Sequence, residues 1–171
     1  MPPEAKIILD SVCKNCRLTT MEITFHHFVA KELLTHRSLS RSASSQRAQP
    51  INKIIKSALD DPAIPIFWGK NQKGMSAEIE MSPEEVEIEK LEWLKDRDYA
   101  VESVKRKEER GLHKQLANRI LEPFIYCTYL VTATDWENFF ALRTHKTAQP
   151  EIQHIAILMS DVYYSSQPKS L

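Results

Sequence analysis

The residues best equipped for chemistry in this chain are arginines and serines set close together. Between His36 and Arg47 stand five serines and three arginines, with almost nothing to bury. A guanidinium is a rigid, permanently charged fork that matches phosphate geometry, and hydroxyls supply further donors. The run reads either as an anion-binding loop or as a basic solvated tract, and pattern alone leaves both open. Its place counts for the first, because it lies mid-chain between two apolar helical patterns, where a disordered insert is less usual.

Other chemistry is harder to assemble. Cys13 and Cys16 form a CxxC, with Cys127 far away. A structural zinc site draws on four ligands, usually two such pairs, and no second pair exists here. A strand-like Ile7-Ile8-Leu9 precedes the CxxC, so redox chemistry stays open, but two ordinary reduced thiols in a loop are the plainer reading. His26, His27, His113, His145 and His154 show no ligand spacing, and no metal is expected. Glycine occurs only at positions 69, 74 and 111, so neither the glycine turn of a dinucleotide fold nor a P-loop can be built. A bound nucleotide or flavin must be held by side chains and helix N-termini.

The elements that would position these residues follow from periodicity. Lys6 to Ser11 and Met21 to Phe25 read as strands, and a helix is expected from His27 to Thr35. Ile51, Ile54, Ile55, Ala58 and Leu59 make one apolar helix face, with Pro50 expected in its first turn. Residues 60–81 hold two prolines and two glycines and should be mostly loop. Ser82-Pro83-Glu84-Glu85 is a capping box that opens a long charged helix, which Gly111 should interrupt. A helix from Leu112 to Leu121 should stop near Pro123. Ile125 to Thr132 reads as a strand. Thr134 to Glu137 suggests a second capping box, before a helix through Leu142. A last helix begins near Pro150, and the tail from Ser165 should be loose. The class is α+β: long helices around a small, mainly antiparallel sheet, in one domain spanning 1–171.

Two blocks of this chain resemble the flavin-dependent thymidylate synthases. Their signature is Arg-His-Arg, seven residues, then Ser. Here stand Thr35-His36-Arg37, seven residues, Ser45, and Arg47 two further on. The family's second half resembles Ala-Arg-x-x-Leu-Pro, a strand with Thr, a helix with Asn, then Leu-Arg-x-x-x-x-Ala-Gln-x-Glu-Ile. This sequence gives Asn118-Arg119-Ile120-Leu121-Glu122-Pro123, Thr128, Asn138 and Leu142 to Ile152, with Arg143 inside the last motif. The resemblance covers most of 20–50 and 112–160, and the chain looks like a short, phage-type branch.

The resemblance implies roles. His36, Arg37 and Asn138 would hold FAD, with Thr35 and His145 nearby. Ser45, Arg47 and Arg119 would bind the phosphate of the substrate nucleotide. Arg143 would face the pyrimidine as the catalytic cation, with Glu32 beside the substrate. The implied reaction is methylation of dUMP at C5, with methylenetetrahydrofolate supplying carbon and NADPH reducing FAD. Sites would be shared between chains of a homotetramer. Departures stand out: Thr35 replaces the first motif arginine, Glu32 a usual glutamine, Ser42-Ala43 an Asn-Glu pair and Thr147 a histidine. An anionic Glu32 would alter base or sugar recognition. Two other readings therefore stand beside methylation: a flavin- and folate-dependent hydroxymethylase of dUMP or dCMP, and a non-catalytic nucleotide- or nucleic-acid-binding homologue. A phosphorylated serine/arginine adaptor is a third.

Bulk properties set the frame. The chain has 171 residues, with 23 basic and 23 acidic side chains. There is then no global field to recruit nucleic acid or an acidic membrane, and an anion site must be local. No apolar run approaches the roughly 20 residues of a membrane helix, and the N-terminus lacks a signal-peptide core. The expected compartment is the cytoplasm, that of the host if the protein is viral.

Overall fold

A computed structural model describes residues 3–171. The fold is α+β, with a five-stranded sheet of order β3-β4-β2-β1-β5. The strands are β1 (Glu4–Cys13), β2 (Cys16–His26), β3 (Ser40–Ala43), β4 (Tyr126–Ala133) and β5 (Lys169–Ser170). The helices are α1 (Ala30–Leu34), α2 (Ile51–Asp60), α3 (Pro83–Glu109), α4 (Lys114–Ala117), α5 (Glu137–Arg143) and α6 (Pro150–Ser165). The β1–β2 and β3–β4 pairs are antiparallel, and β5 joins β1 in parallel. The chain clusters into two compact units: residues up to Ser44 together with Cys127–Leu171, and Ser45–Tyr126.

The first unit holds the sheet with α1, α5 and α6. Alternation along β2 buries Met21, Ile23 and Phe25 completely, and α6 adds Ile152, Ile155 and Met159 to the same core. Full burial of each such side chain stabilises by about 1.5–3 kcal/mol. β2 and β4 are also joined by hydroxyl pairs, Thr20–Thr132 and Thr24–Thr128, both at 2.9 Å. The hairpin between β1 and β2 turns at Lys14, whose φ of 54° is the left-handed region. It brings Cys13 opposite Cys16, both exposed and free.

The second unit packs α2 against α3 and the 3₁₀ segment Asn118–Phe124. Ile54, Ile55, Ala58, Val101, Val104, Leu121 and Phe124 form its core. The capping box opens α3 as expected: Ser82 Oγ accepts from Glu85 N at 3.2 Å, and Glu85 Oε2 accepts from Ser82 N at 2.7 Å. Gly111 ends this helix with φ +80°. Gly111 N donates to Glu108 O at 2.8 Å and Leu112 N to Lys107 O at 2.9 Å, the Schellman pattern that favours glycine.

Five expectations change. The helix from His27 to Thr35 begins as a 3₁₀ turn, His27–Val29, before α1. Pro50 is the N-cap of α2 and not a first-turn residue. The helix from Leu112 to Leu121 is the short α4 followed by a 3₁₀ segment that contains Pro123, since proline removes a donor that a longer helix needs. The second capping box does not form: Trp136 is the N-cap of α5, and Asp135 accepts from Glu137 N instead. The tail is anchored, because β5 pairs with β1 and Ser166 Oγ donates to Asp10 at 2.6 Å. Among the described residues no helix is long and apolar enough to cross a membrane, and no cluster could hold a metal ion.

Candidate active site

Within the first unit, α5 ends on Arg143 and α1 is followed directly by Thr35 and His36. The guanidinium makes one bond from each nitrogen. Nη1 donates to Glu32 Oε2 at 2.6 Å, Nε to His36 Nε2 at 2.8 Å and Nη2 to Thr35 Oγ1 at 3.2 Å. Thr35 in turn donates to Glu32 O at 2.7 Å, which fixes its hydroxyl. Four of the residues singled out from the sequence are thus one cluster: Glu32, Thr35, His36 and Arg143.

His36 is buried, 7% exposed, with its ring edge-on to Phe139 at 4.9 Å. Burial first, then the charges of Arg143 and Arg41, lower its pKa below the usual 6.5. The imidazole is therefore neutral at neutral pH. Because an arginine can only donate, Nε2 must be the unprotonated nitrogen, and the proton sits on Nδ1.

The remaining cofactor candidates, Arg37, Asn138 and His145, are exposed. Arg37 forms no hydrogen bond or ion pair among the described residues. His145 folds onto its own loop, with Nδ1 at 2.9 Å from Thr147 Oγ1. Arg41, read as part of an anion-binding run, is already engaged. Its Nη1 reaches the carbonyls of Leu33, Leu34 and His36, the last at 2.6 Å, and so caps the C-terminal end of α1. Basic residues are favoured at such ends, but the helix end had first to be placed.

The phosphate candidates lie in the second unit. Ser45 and Arg47 are exposed on a turn in which Ala48 N donates to Ser45 O at 2.9 Å, and Arg47 N donates to Ser45 Oγ at 3.3 Å. The Arg47 guanidinium has no partner among the described residues. α2 opens immediately after this turn, and a helix N-terminus favours an anion. Arg119 is exposed and pairs with Glu122 at 2.5 Å, an i,i+3 contact of small energetic weight. Asn118 is fully buried beside it and hydrogen-bonded to the turn; the sequence reading gave it no role.

Comparison with known proteins follows the same line. The family model described as thymidylate synthase complementing protein matches residues 11–169. Among solved structures, the UMP/dUMP methylase PolB from Streptomyces cacaoi bound with 5-Br UMP superposes with a TM-score of 0.77 at 14% identity, covering 95% of this chain and 89% of that one. The same methylase bound with 5-Br dUMP gives 0.72 at 19% identity, over 87% and 67%. At these identities the likeness speaks to the fold. None of the curated proteins matches the chain in sequence.

Proposed function

The chain belongs to the thymidylate synthase complementing protein family, and from that premise we propose that it transfers a one-carbon unit from methylenetetrahydrofolate to C5 of dUMP. The observation that carries this reading is the convergence on Arg143 of Glu32, Thr35 and His36, although 107 to 111 residues separate them in sequence. Pyrimidine C5 attacks an electrophile only when negative charge can spread onto a ring oxygen, and a cation fixed at that oxygen lowers the barrier. Each nitrogen of Arg143 spends one N–H on the protein, so Nη1 and Nη2 each keep one for a ligand. The guanidinium is aimed in advance and still has donors to offer.

Ser45, Arg47 and Arg119 bind the phosphate in this account, with the start of α2 adding its dipole. The base is a uracil, as in the UMP/dUMP methylases that share the fold. Arg37 and Asn138 suit FAD: an exposed guanidinium with no described partner for the diphosphate, and an exposed amide for a ring edge. FAD held by these residues and reduced by NADPH would supply the hydride that completes the methyl group. His36 stays neutral beside Arg143, so its Nε2 remains the acceptor that orients Arg143 Nε. The working form is a homotetramer.

A second reading is hydroxymethylation, in which water resolves the one-carbon adduct. Glu32 favours it, because a carboxylate beside Arg143 can take a proton from water and the usual glutamine cannot. The experiment is to incubate the purified protein with dUMP, methylenetetrahydrofolate and NADPH and to weigh the nucleotide products. A methylated product supports the proposal, and a hydroxymethylated one supports the second reading. Unchanged dUMP from a colourless protein removes both.

A further inference from the structure

Asn118 stands immediately before Arg119, where the motif quoted above carries alanine. It is 0% exposed. Its Nδ2 donates to the carbonyl of Gln46 at 2.9 Å and to that of Gln49 at 3.1 Å, partners 72 and 69 residues away in sequence. Those two carbonyls bracket the exposed turn that carries Arg47 and Ala48. The turn also carries the local bonds Ala48 N to Ser45 O at 2.9 Å and Gln49 N to Gln46 O at 3.3 Å. Lys114 Nζ reaches Ala48 O only at 3.4 Å.

We infer that Asn118 is a positioning residue: one buried amide ties the turn bearing Ser45 and Arg47 to the segment bearing Arg119, and so presets the phosphate-binding group. The inference rests on the reading of that group given under Proposed function. Asn118 is sealed from solvent, and both its N–H groups are spent on the turn. An alanine here would leave two carbonyls without the Asn118 donor and loosen the turn. The departure from the motif's alanine then has a purpose in this chain, and the gain is pre-organisation of an anion site that otherwise lies on an exposed loop.

The test uses Asn118→Ala and, should that variant fold poorly, Asn118→Ser, which keeps a single donor. Two ligands are titrated, dUMP and deoxyuridine, which lacks the phosphate. Loss of both bonds is expected to weaken dUMP binding about tenfold, close to 1.4 kcal/mol, with deoxyuridine binding unmoved. The KM for dUMP should rise while kcat falls much less, with serine intermediate. Tryptic cleavage after Arg47 should accelerate relative to cleavage after Arg106 in α3. The inference is overturned if both ligands lose affinity by the same factor, or if dUMP binding and the Arg47 cleavage rate match the wild type. Should the wild type bind neither ligand, the functional reading fails on its own, and the cleavage ratio still decides whether Asn118 restrains the turn.

Discussion

Two arginines in the sheet-bearing unit each meet a carboxylate, and the comparison separates a fastening from a site. At the hairpin the carboxylate is the centre. Asp10 accepts from Arg17 Nε at 2.9 Å and Nη2 at 2.7 Å, from Thr19 at 3.0 Å and from Ser166 at 2.6 Å. The Arg17 guanidinium also lies 3.9 Å over the Tyr163 ring. At the end of α5 the cation is the centre, and Arg143 collects three acceptors from three residues. The arginines are about equally exposed, 20% and 21%, but Asp10 is 5% exposed and Glu32 29%. A sealed carboxylate with four donors holds β1, β2 and the tail together. At Arg143 the pair stays open on its carboxylate side, where Glu32 is 29% exposed, so a ligand can reach it.

The comparison can be broken most decisively at Arg143. Arg143→Lys keeps the charge but loses the planar fork. Turnover should fall about 10²- to 10³-fold, the scale for losing a transition-state donor, with bound flavin and thermal stability little changed. Near-normal turnover would move Arg143 out of the site. Asp10→Asn should show the opposite profile, a loss of about 2 kcal/mol in unfolding free energy with activity per folded molecule retained; denaturant titration measures it.

The pH dependences should differ in the same way. The Arg17 hydrogen bond, foremost, holds Asp10 at about 2, below the usual 3.8. Its stabilisation is present above 3.8 and is lost as pH falls through 2. His36 lies below the usual 6.5, so it contributes no difference above 6.5, where folded and unfolded chains both hold it neutral. As pH falls below 6.5 the unfolded chain takes a proton that the fold resists, and stability declines. Stability curves of the wild type and His36→Asn should run parallel above pH 6.5 and differ in slope below it, with the variant flatter. The smallest expected effect is that of Glu32→Gln, which keeps an acceptor for Arg143 but removes the charge. Stability should change by less than about 1 kcal/mol, and dUMP should bind severalfold tighter because the guanidinium is less neutralised. Weaker dUMP binding would mean that Glu32 itself contacts the base.

Much of this architecture was legible in residue patterns, and the exceptions have physical causes. The capping box at Ser82, the alternation in β2 and the apolar face of α2 are local signals, so they survive folding. The anchored tail was not legible, because Ser166 and β5 find partners 156 residues away or in another strand. The end of the helix after His27 and the 3₁₀ path through Pro123 depend on tertiary packing. His36, Thr35 and Arg143 were singled out by motif and lie in one cluster, whereas the run holding Arg41 was left open between anion binding and a solvated tract, because its capping of α1 shows only in the fold. Asn118 was passed over as a substituted motif position, since only long-range bonds reveal what its amide does.

An experimental structure of the protein with dUMP and FAD would test the central claim most directly. The account predicts Arg143 Nη1 or Nη2 within hydrogen-bond distance of a pyrimidine ring oxygen, with Nε still on His36. A uracil ring bound elsewhere, while Arg143 keeps only Glu32, Thr35 and His36 for company, would contradict it.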